Sequence, residues 1–507
     1  MILLPARFLF NGRFALDTIL SCPFFRDIIN SLPGMISSQI GLLASIFIYM
    51  FFMLGVGFWA STKISETKDY IIAGGKLGVW LSFGTIFATW FGAETCMGSS
   101  RTAYEQGFPG VIADPFGAGL CLILAGLFFV KIFHRLKIET VIDFFEMRYG
   151  RKVALVLSFL YIPVYLGWIG GQLLAFGLIL NALTGLPVML SIIISTAVVL
   201  LYTYWGGMWA DAVTDLFQMF FIVLGLLVLF PIVMKDAGGL AGLKAAVPEE
   251  FFHFRPHSTS ATDWLNYAQA WMIVGLGSLP AQDLIQRMLS PKSETIAKWC
   301  TLSAGLFYIV IGLVPVLLGI AGRVVLPGNN GDSILIHLAS KYLSLPLMTL
   351  LIGALLSAIM SSADSALIAP AGIIGHNIVS FINPKAPEHL KLQVCKWSIP
   401  AVGILSLMMA LYFQNVYELC TNAWGILLVG VAAPLIFGIY WKKANAAGAW
   451  AGVLGGTGAW TLLSLVLPED APCQLYGFLV SCVSLIIFSL LTRAHGSPAP
   501  SAGFNSR

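Results

Sequence analysis

Charged residues are scarce in this sequence: only 10% of the 507 residues are Asp, Glu, Lys or Arg, whereas 58% are hydrophobic. With a mean hydropathy of +0.87, the chain carries more apolar surface than a soluble core of this size can bury, so lipid must solvate much of it. The apolar runs also lack the short alternating pattern of barrel strands. We therefore predict an all-α polytopic membrane protein, in which each helix satisfies its own backbone hydrogen bonds.

Closely spaced metal ligands are also missing. The eight cysteines occur singly, with no C-x-x-C pair, and the seven histidines are scattered, mostly in loops. These spacings argue against a bound transition metal and against a disulfide framework. Because no nucleophile, base and orienting group converge, we expect no enzymatic activity. We also expect no organic cofactor and no nucleic-acid partner.

Long apolar runs are abundant, and each has about the 20 residues needed to cross ~30 Å of hydrocarbon. We predict thirteen spans near 39–61, 79–104, 112–134, 153–183, 187–205, 212–235, 263–285, 299–325, 345–376, 395–414, 417–441, 446–467 and 472–493. A cytoplasmic C-terminus places most of the 28 Lys and Arg residues on the cytoplasmic side. The positive-inside rule therefore predicts a multi-pass protein of the cell membrane with its N-terminus outside.

Two predicted spans contain glycine-rich interruptions. Span 79–104 carries Trp90-Phe-Gly92-Ala-Glu94, and span 263–285 carries Gly275-Leu-Gly277-Ser-Leu-Pro280. Discontinuous helices in corresponding positions place free carbonyls around a midplane site in transporters built from inverted repeats. Glycine also permits close helix packing, and this alternative remains open.

Counting five spans from each interruption divides the chain into two sets that begin on opposite sides of the membrane, as inverted repeats do. The predicted organisation is an N-terminal extension over 1–35 with an alternative start at Met35, a first peripheral helix and cytoplasmic loop over 36–78, repeats over 79–235 and 263–441, two peripheral helices over 446–493 and a disordered tail over 497–507.

Five motifs follow one another along the chain. They are Lys68-Asp69-Tyr70-Ile-Ile-Ala-Gly74-Gly75, Thr140-x-x-Asp143-Phe-Phe-x-x-Arg148-Tyr-Gly150, Gly206-Gly207-Met-x-Ala210-x-x-x-Thr214-Asp215-x-x-Gln218, Gln286-Arg287 with Lys292-Ser293, and Met360-Ser361-Ser362-x-Asp364-Ser365. In this order and spacing they resemble the sodium:solute symporter family over about residues 40–440. Within that family, the motifs are most similar to those of the choline-transporter-like branch. The resemblance implies a LeuT-type core of two inverted five-helix repeats and alternating access driven by sodium.

The serine pair is the predicted ion site. Sodium is a hard cation that prefers oxygen ligands, and hydroxyls and carbonyls supply them in a membrane without extra buried charge. Matching to the family implies that the sodium ligands come from Ala88, Phe91, Ala358, Ser361 and Ser362. The alternative is that the two serines bond back to carbonyls one turn earlier.

Two carboxylates accompany the serine pair. Asp215 matches a family aspartate associated with sodium coupling, and its alternative is a helix-entry acid at the cytoplasmic surface. Asp364 follows the pair by two residues and either supports the bound ion or pairs with a polar partner elsewhere in the bundle. Carboxylates inside a membrane are costly enough to be functional candidates, so both are assigned to the sodium site.

Three tryptophans near predicted span midpoints form the candidate substrate site: Trp90, Trp168 and Trp271. Indole faces attract desolvated organic cations, and Gly92 and Glu94 lie beside the first of them. The resemblance places the three tryptophans on the positions of a choline cage, whose tyrosine is replaced here by Ala118. The alternative is that they are packing residues.

The resulting hypothesis is sodium-coupled symport of a small organic solute, with a quaternary ammonium or zwitterionic compound such as choline as the candidate. Sodium is the coupling ion, and the remaining partners are the solute and the lipid bilayer. The protein is expected to be a monomer or weak homodimer. Alternatives are a symporter of a proline-like amino acid or a carboxylate and, from another class, a sensor or channel using the same helical core.

Overall fold

The computed structural model describes residues 48, 51–53, 55–56, 58–59, 62–256, 260–328, 331, 333–413, 415–468 and 470–493. Every regular element in these ranges is a helix, and one isolated backbone bridge joins Leu77 to Pro291. The predicted N-terminal extension 1–35, the tail 497–507 and most of the predicted span 39–61 lie outside the described residues. The all-α prediction is confirmed.

The α-helices follow the apolar runs closely. In chain order they are α1 Thr67–Ile72, α2 Val79–Trp90, α3 Ser99–Gln106, α4 Ala118–Leu124, α5 Val130–Leu136, α6 Val141–Tyr149, α7 Arg151–Thr184, α8 Val188–Asp236, α9 Gly239–Ala246, α10 Ala261–Gly275, α11 Gln282–Leu289, α12 Glu294–Val325, α13 Ile334–Tyr342, α14 Leu345–Gly372, α15 Val379–Ile382, α16 Glu388–Tyr412, α17 Val416–Leu427, α18 Ala433–Tyr440, α19 Ala446–Val466 and α20 Cys473–Arg493.

Nine helical stretches in the described ranges are long and apolar enough to cross a membrane. They are Phe108–Leu136, Arg151–Thr184, Gly207–Asp236, Glu294–Val325, Leu345–Ile382, Glu388–Tyr412, Val416–Tyr440, Ala446–Val466 and Cys473–Thr492. Val79–Trp90 and Val188–Leu201 are shorter apolar helices. The chain is therefore a multi-span membrane protein, whereas the total of thirteen spans stays a prediction.

Helix α8 joins two predicted spans, 187–205 and 212–235, without a loop. The joint is a bend at Gly207, whose φ of 53° lies in the left-handed region that favours glycine. A Cβ at this position would lie 2.7 Å from the Tyr70 ring, so the bend also brings α1 against α8. The two predicted spans are thus separate helical segments, Val188–Leu201 and Gly207–Asp236, on either side of this bend.

Both interruptions in the helical pattern are present. Helix α2 ends at Trp90, Phe91 has a non-helical ψ of 66°, and the helical backbone resumes at Ala93 with a π-turn over Glu94–Gly98 that leads into α3. Helix α10 ends at Gly275, and α11 begins at Gln282. Each break leaves peptide groups without their helical partners in the protein interior, where other groups must satisfy them.

Helices α2, α7, α8, α11 and α14 enclose the polar centre of the molecule. Small residues allow the close approach: a Cβ at Gly84 of α2 would lie 3.1 Å from the Leu216 Cα of α8, and a Cβ at Gly225 of α8 would overlap Ala354 of α14. Close backbone contact of this kind replaces the hydrophobic effect as the source of helix association in lipid. The division of these helices into two inverted repeats remains a prediction.

Candidate functional site

Ser361 and Ser362 are fully buried in α14, and both bond to other helices. The Ser362 hydroxyl donates to the Thr89 carbonyl at 2.7 Å, and the Ser361 hydroxyl donates to the Asp215 carboxylate. By contrast, Ser357 in the same helix donates back to the Gly353 carbonyl at 2.7 Å. The alternative of back-bonding is therefore wrong for this pair. Because each hydroxyl directs its proton to a neighbouring helix, its oxygen lone pairs remain available to a cation.

The break after α2 faces the serine pair. The carbonyl of Trp90 accepts a hydrogen bond from the Tyr308 hydroxyl at 2.8 Å, just as that of Thr89 accepts one from Ser362. In the described ranges no hydrogen bond reaches the carbonyls of Ala88 and Phe91. A Cβ at Gly92 would overlap the Ser362 hydroxyl, so the break and the serine-bearing helix are in direct contact. Unbonded carbonyls beside two hydroxyls are the donor set that fits a sodium ion.

The remaining predicted ligand, Ala358, lies in α14 three residues before Ser361, one helical turn away. Its side chain is fully buried. The structure thus brings the helix that carries Ala358 and the serine pair against the helix end that carries Ala88 and Phe91. Their binding of sodium remains a proposal.

Asp215 lies in the protein interior. It is fully buried, and its carboxylate accepts hydrogen bonds from Thr85 Oγ1 at 2.5 Å, from Thr89 Oγ1 at 3.4 Å and from Ser361. The alternative of a surface acid at a helix entry is therefore wrong. Three donors and a neighbouring serine pair place this negative charge next to the candidate ion site.

Asp364 belongs to a cluster of three buried carboxylates. Oxygen atoms of Asp211, Asp215 and Asp364 all lie within 4.8 Å of one another. The Asp364 carboxylate also accepts a hydrogen bond from the Ser365 N–H at 2.8 Å. Asp211 was not predicted from the sequence, although the rule that intramembrane carboxylates are functional candidates applies to it as well as to Asp215.

A buried arginine faces this cluster. Arg287 of α11 is fully buried and forms an ion pair with Asp211. Its guanidinium also donates to Thr89 Oγ1 at 2.5 Å and to the Ser365 hydroxyl. In the sequence Arg287 contributed only to a motif, because an arginine's partner cannot be identified from spacing alone.

Trp90 and Trp168, two residues of the predicted substrate site, both pack against a third tryptophan, Trp424 of α17. The ring centroids of Trp90 and Trp424 are 6.2 Å apart in a stacked arrangement, and those of Trp168 and Trp424 are 4.9 Å apart. The ring of Trp271 contacts Tyr267 at 6.4 Å, on the same face of α10, and its place in a solute site stays a prediction. The structure thus assembles an indole cluster of Trp90, Trp168 and Trp424.

Buried carboxylates hold two of these indoles. The Trp168 Nε1–H donates to Glu94 Oε1 at 2.8 Å, and Gln172 donates to the other oxygen of Glu94 at 2.6 Å. The Trp90 Nε1–H donates to Asp283 Oδ2 at 2.8 Å. Among the described residues, no Lys, Arg or His forms an ion pair with Glu94, whereas Arg287, one turn along α11 from Asp283, attracts the Asp283 carboxylate. The indole cluster therefore lies in a negatively charged environment, which favours a cation.

A third carboxylate, Asp114, lies near Glu94. The Tyr308 hydroxyl oxygen lies 2.9 Å from Asp114 Oδ2, whereas the other oxygen, Oδ1, is buried and has no hydrogen-bond partner in the described ranges. Ala118, where the resemblance implies the loss of a cage tyrosine, is buried with 1% exposure. The choline cage implied by the resemblance therefore lacks its tyrosine at position 118.

The family model for the sodium:solute symporter family matches residues 70–456, which is more than half of the chain. The protein therefore belongs to the sodium:solute symporter family, a family of membrane transporters. It is 28% identical to the high affinity choline transporter 1 of Homo sapiens over 445 residues, covering 82% of this chain and 75% of that protein. It is 26% identical to the sodium/glucose cotransporter of Vibrio parahaemolyticus over 487 residues, covering 88% and 89% of the two chains.

Solved structures support the same fold. A Na⁺-coupled sialic acid symporter in a substrate-bound outward-open state matches with a TM-score of 0.79 and 20% identity, over 91% of this chain and 99% of that one. Mhp1, a nucleobase-cation-symport-1 family transporter, matches with a TM-score of 0.57 and 16% identity, over 84% and 94%. The predicted LeuT-type fold is thereby confirmed.

Proposed function

We propose that this protein is a sodium-coupled symporter of a small organic cation, which works by alternating access in the cell membrane. The observation that carries the proposal is the contact between the serine pair of α14 and the broken end of α2. The Ser362 hydroxyl bonds to the Thr89 carbonyl there, the nearby carbonyls of Ala88 and Phe91 accept no hydrogen bond among the described residues, and Ser361 bonds to the Asp215 carboxylate. An ion bound by both helices stabilises the position in which they are in contact, so its binding and release change the relative position of α2 and α14.

The ligands proposed for sodium are Ala88, Phe91, Ala358, Ser361 and Ser362, with Asp215 and Asp364 supplying negative charge. Neutral oxygens suit an ion that must leave again in each cycle, since every additional buried carboxylate ligand tightens binding. A sodium ion neutralises Asp215 at close range in a medium where an unpaired charge is costly. Sodium is thus the coupling ion in this proposal.

The solute proposed to bind at the indole cluster is a small organic cation, with choline as the first compound to test. A desolvated cation gains on the order of 2 kcal/mol from each indole face. Glu94 and Asp283, which hold the cluster, add attraction for a positive charge and repel a carboxylate. The choline transporters among the relatives are consistent with this class of solute.

Uptake into proteoliposomes tests the proposal. An inward sodium gradient is expected to accelerate uptake of labelled choline at least tenfold over an equal potassium gradient. Uptake of labelled betaine, proline and pantothenate is measured separately for comparison. Binding linkage requires choline, in turn, to tighten sodium binding. Uptake of every solute at the same rate in both gradients would exclude symport, and sodium-driven uptake of proline or pantothenate alone would exclude the organic cation.

Gly92→Ala is expected to weaken sodium binding about tenfold. The added Cβ would overlap the Ser362 hydroxyl and lie 2.9 Å from Glu94 Oε2, so one serine oxygen must move away from the break. Displacements of this kind cost roughly 1–3 kcal/mol, and about 1.4 kcal/mol corresponds to the tenfold loss. Binding of radioactive sodium to purified protein measures the effect.

Gly353→Ala in α14 is the matched control for this substitution, because no atom lies within 4 Å of its added Cβ. It is expected to leave sodium affinity within twofold of the native value. Equal sodium affinities for the Gly92→Ala and native proteins would show that the ion binds away from the contact between α2 and α14.

A further inference from the structure

Arg287 connects four helical segments at one point. Its own segment is α11, the second half of the broken helix. From there it donates to Thr89 Oγ1 in α2 at 2.5 Å, to the Asp211 carboxylate in α8 and to the Ser365 hydroxyl in α14. It also donates to the Asp283 carbonyl within α11 at 3.2 Å. No part of this side chain is exposed, so these contacts replace its hydration entirely.

Asp211 is the partner that holds the guanidinium in place. Its side chain is 1% exposed, it forms the ion pair with Arg287, and its Oδ1 accepts a hydrogen bond from Ser365 at 3.0 Å. A guanidinium bonded to a carboxylate in a dry environment cannot leave without exposing two unpaired charges to a low dielectric. The pair therefore resists the separation of α11 from α8 strongly.

Thr89 belongs to this network and to the candidate ion site at once. Its hydroxyl accepts from Arg287 and bonds to Ser365 at 3.1 Å, while its carbonyl accepts from Ser362 at 2.7 Å. One residue thus joins the serine pair to the Arg287 guanidinium. A cation that fixes Ser362 against the end of α2 also fixes the Thr89 hydroxyl where Arg287 binds it.

We propose that the Asp211–Arg287 ion pair is a latch that holds α11 against α8 and α14 while the cation site is occupied. This inference rests on the proposed function, since it assigns the cation to the serine pair. Alternating access requires α11 to part from α8 and α14 on the side predicted to be cytoplasmic. Departure of the cation releases Thr89, which leaves the guanidinium with one fewer acceptor, and the latch then opens. Asp211 and Arg287 are positioning residues and need not touch the ion or the solute.

Asp211→Asn tests the latch and is expected to fold. The cluster holds three carboxylates and one guanidinium, so two carboxylates still balance Arg287 after the substitution. The reporter is a Ser290→Cys substitution at the end of α11, where the native serine is fully buried and bonds to the Gln286 carbonyl at 2.6 Å. Its reaction with a hydrophilic maleimide, followed by mass spectrometry, measures how often this segment opens.

In the reporter protein with native Asp211, sodium chloride is expected to slow labelling about tenfold relative to potassium chloride. With Asp211→Asn, labelling is expected to rise at least fivefold at a sodium concentration that saturates the variant's own site, as measured by binding of radioactive sodium. A loss of packing alone would lower both the melting temperature and the sodium affinity. It would not specifically remove the slowing of Ser290→Cys labelling by sodium. Arg135→Gln is the control, since it breaks the exposed ion pair with Glu294 at 3.1 Å.

Arg287→Lys provides a second variant that keeps the buried charge. A lysine ammonium cannot reach three acceptors with the fork geometry of a guanidinium, so labelling in sodium is expected to rise here too. Labelling that stays equally protected by sodium in both variants would overturn the latch, even with sodium binding intact. Absence of sodium binding to the native protein would instead overturn the proposed function, and the two failures are therefore distinguishable.

Discussion

Ser361→Ala combined with Ser362→Ala is expected to abolish sodium-driven uptake and to weaken sodium binding about a hundredfold. Each hydroxyl oxygen that contacts an ion contributes roughly 1.5 kcal/mol, as hydrogen bonds to charged groups do, and two such losses give about 3 kcal/mol. The substitutions also remove the donors to Asp215 and to the Thr89 carbonyl. Binding of radioactive sodium and gradient-driven uptake measure the two effects separately.

Ser158→Ala is the matched control for the serine pair. Ser158 is equally buried, but its hydroxyl donates to the Ala154 carbonyl within its own helix at 2.8 Å. Its removal is expected to leave sodium affinity within twofold of native. If the double alanine variant folds and still binds sodium with native affinity, then the ion lies elsewhere and the serine pair serves only to connect α14 with α2 and α8.

The helices of this protein could be predicted because lipid imposes a simple rule on sequence. Runs of about 20 apolar residues and the glycines of the two breaks both appear at their predicted places. The predicted loop between spans 187–205 and 212–235 is instead a sharp bend at Gly207, and the two helical segments follow one another directly. Two successive glycines at 206 and 207 are compatible with either a loop or a bend, and in the structure Gly207 packs tightly against Tyr70.

The candidate ion site was only partly predictable. Ser361, Ser362 and Asp215 stand out in the sequence, but the bond from Ser361 to Asp215 joins residues 146 positions apart. No local pattern specifies such a partner. The same holds for Arg287 and Asp211, which are 76 positions apart and were recognised as a pair only in the structure.

The aromatic site shows how helix orientation limits such predictions. Trp271 lies one turn before a helix break, which made it a reasonable candidate, yet its ring packs along α10 against Tyr267. Trp424 lies in an uninterrupted helix without a nearby motif, yet it contacts both Trp90 and Trp168. The rotation of each helix about its axis decides which indole faces the centre, and tertiary packing sets that rotation.

Trp424→Ala and Trp168→Ala are each expected to weaken choline binding about thirtyfold, because each removes one indole face worth about 2 kcal/mol to a desolvated cation. Sodium affinity in the absence of choline is expected to change less than threefold, since neither ring bonds to the serine pair, and Trp424 contacts the end of α2 through the Trp90 ring rather than through the backbone carbonyls proposed to bind sodium. Equilibrium binding of labelled choline to the purified protein, with and without sodium, measures both quantities.

Trp271→Ala distinguishes a solute site at the indole cluster, which includes Trp424, from the site predicted from sequence, which includes Trp271. Its ring contacts Tyr267 rather than the indole cluster, so its loss is expected to change choline affinity less than threefold. A thirtyfold loss in this variant, with native affinity in Trp424→Ala, would mean that the solute binds against α10 instead. Glu94 and Asp283 bond to Trp168 and Trp90, so a solute bound at Trp271 instead would not have these carboxylates bonded to the indole that it contacts.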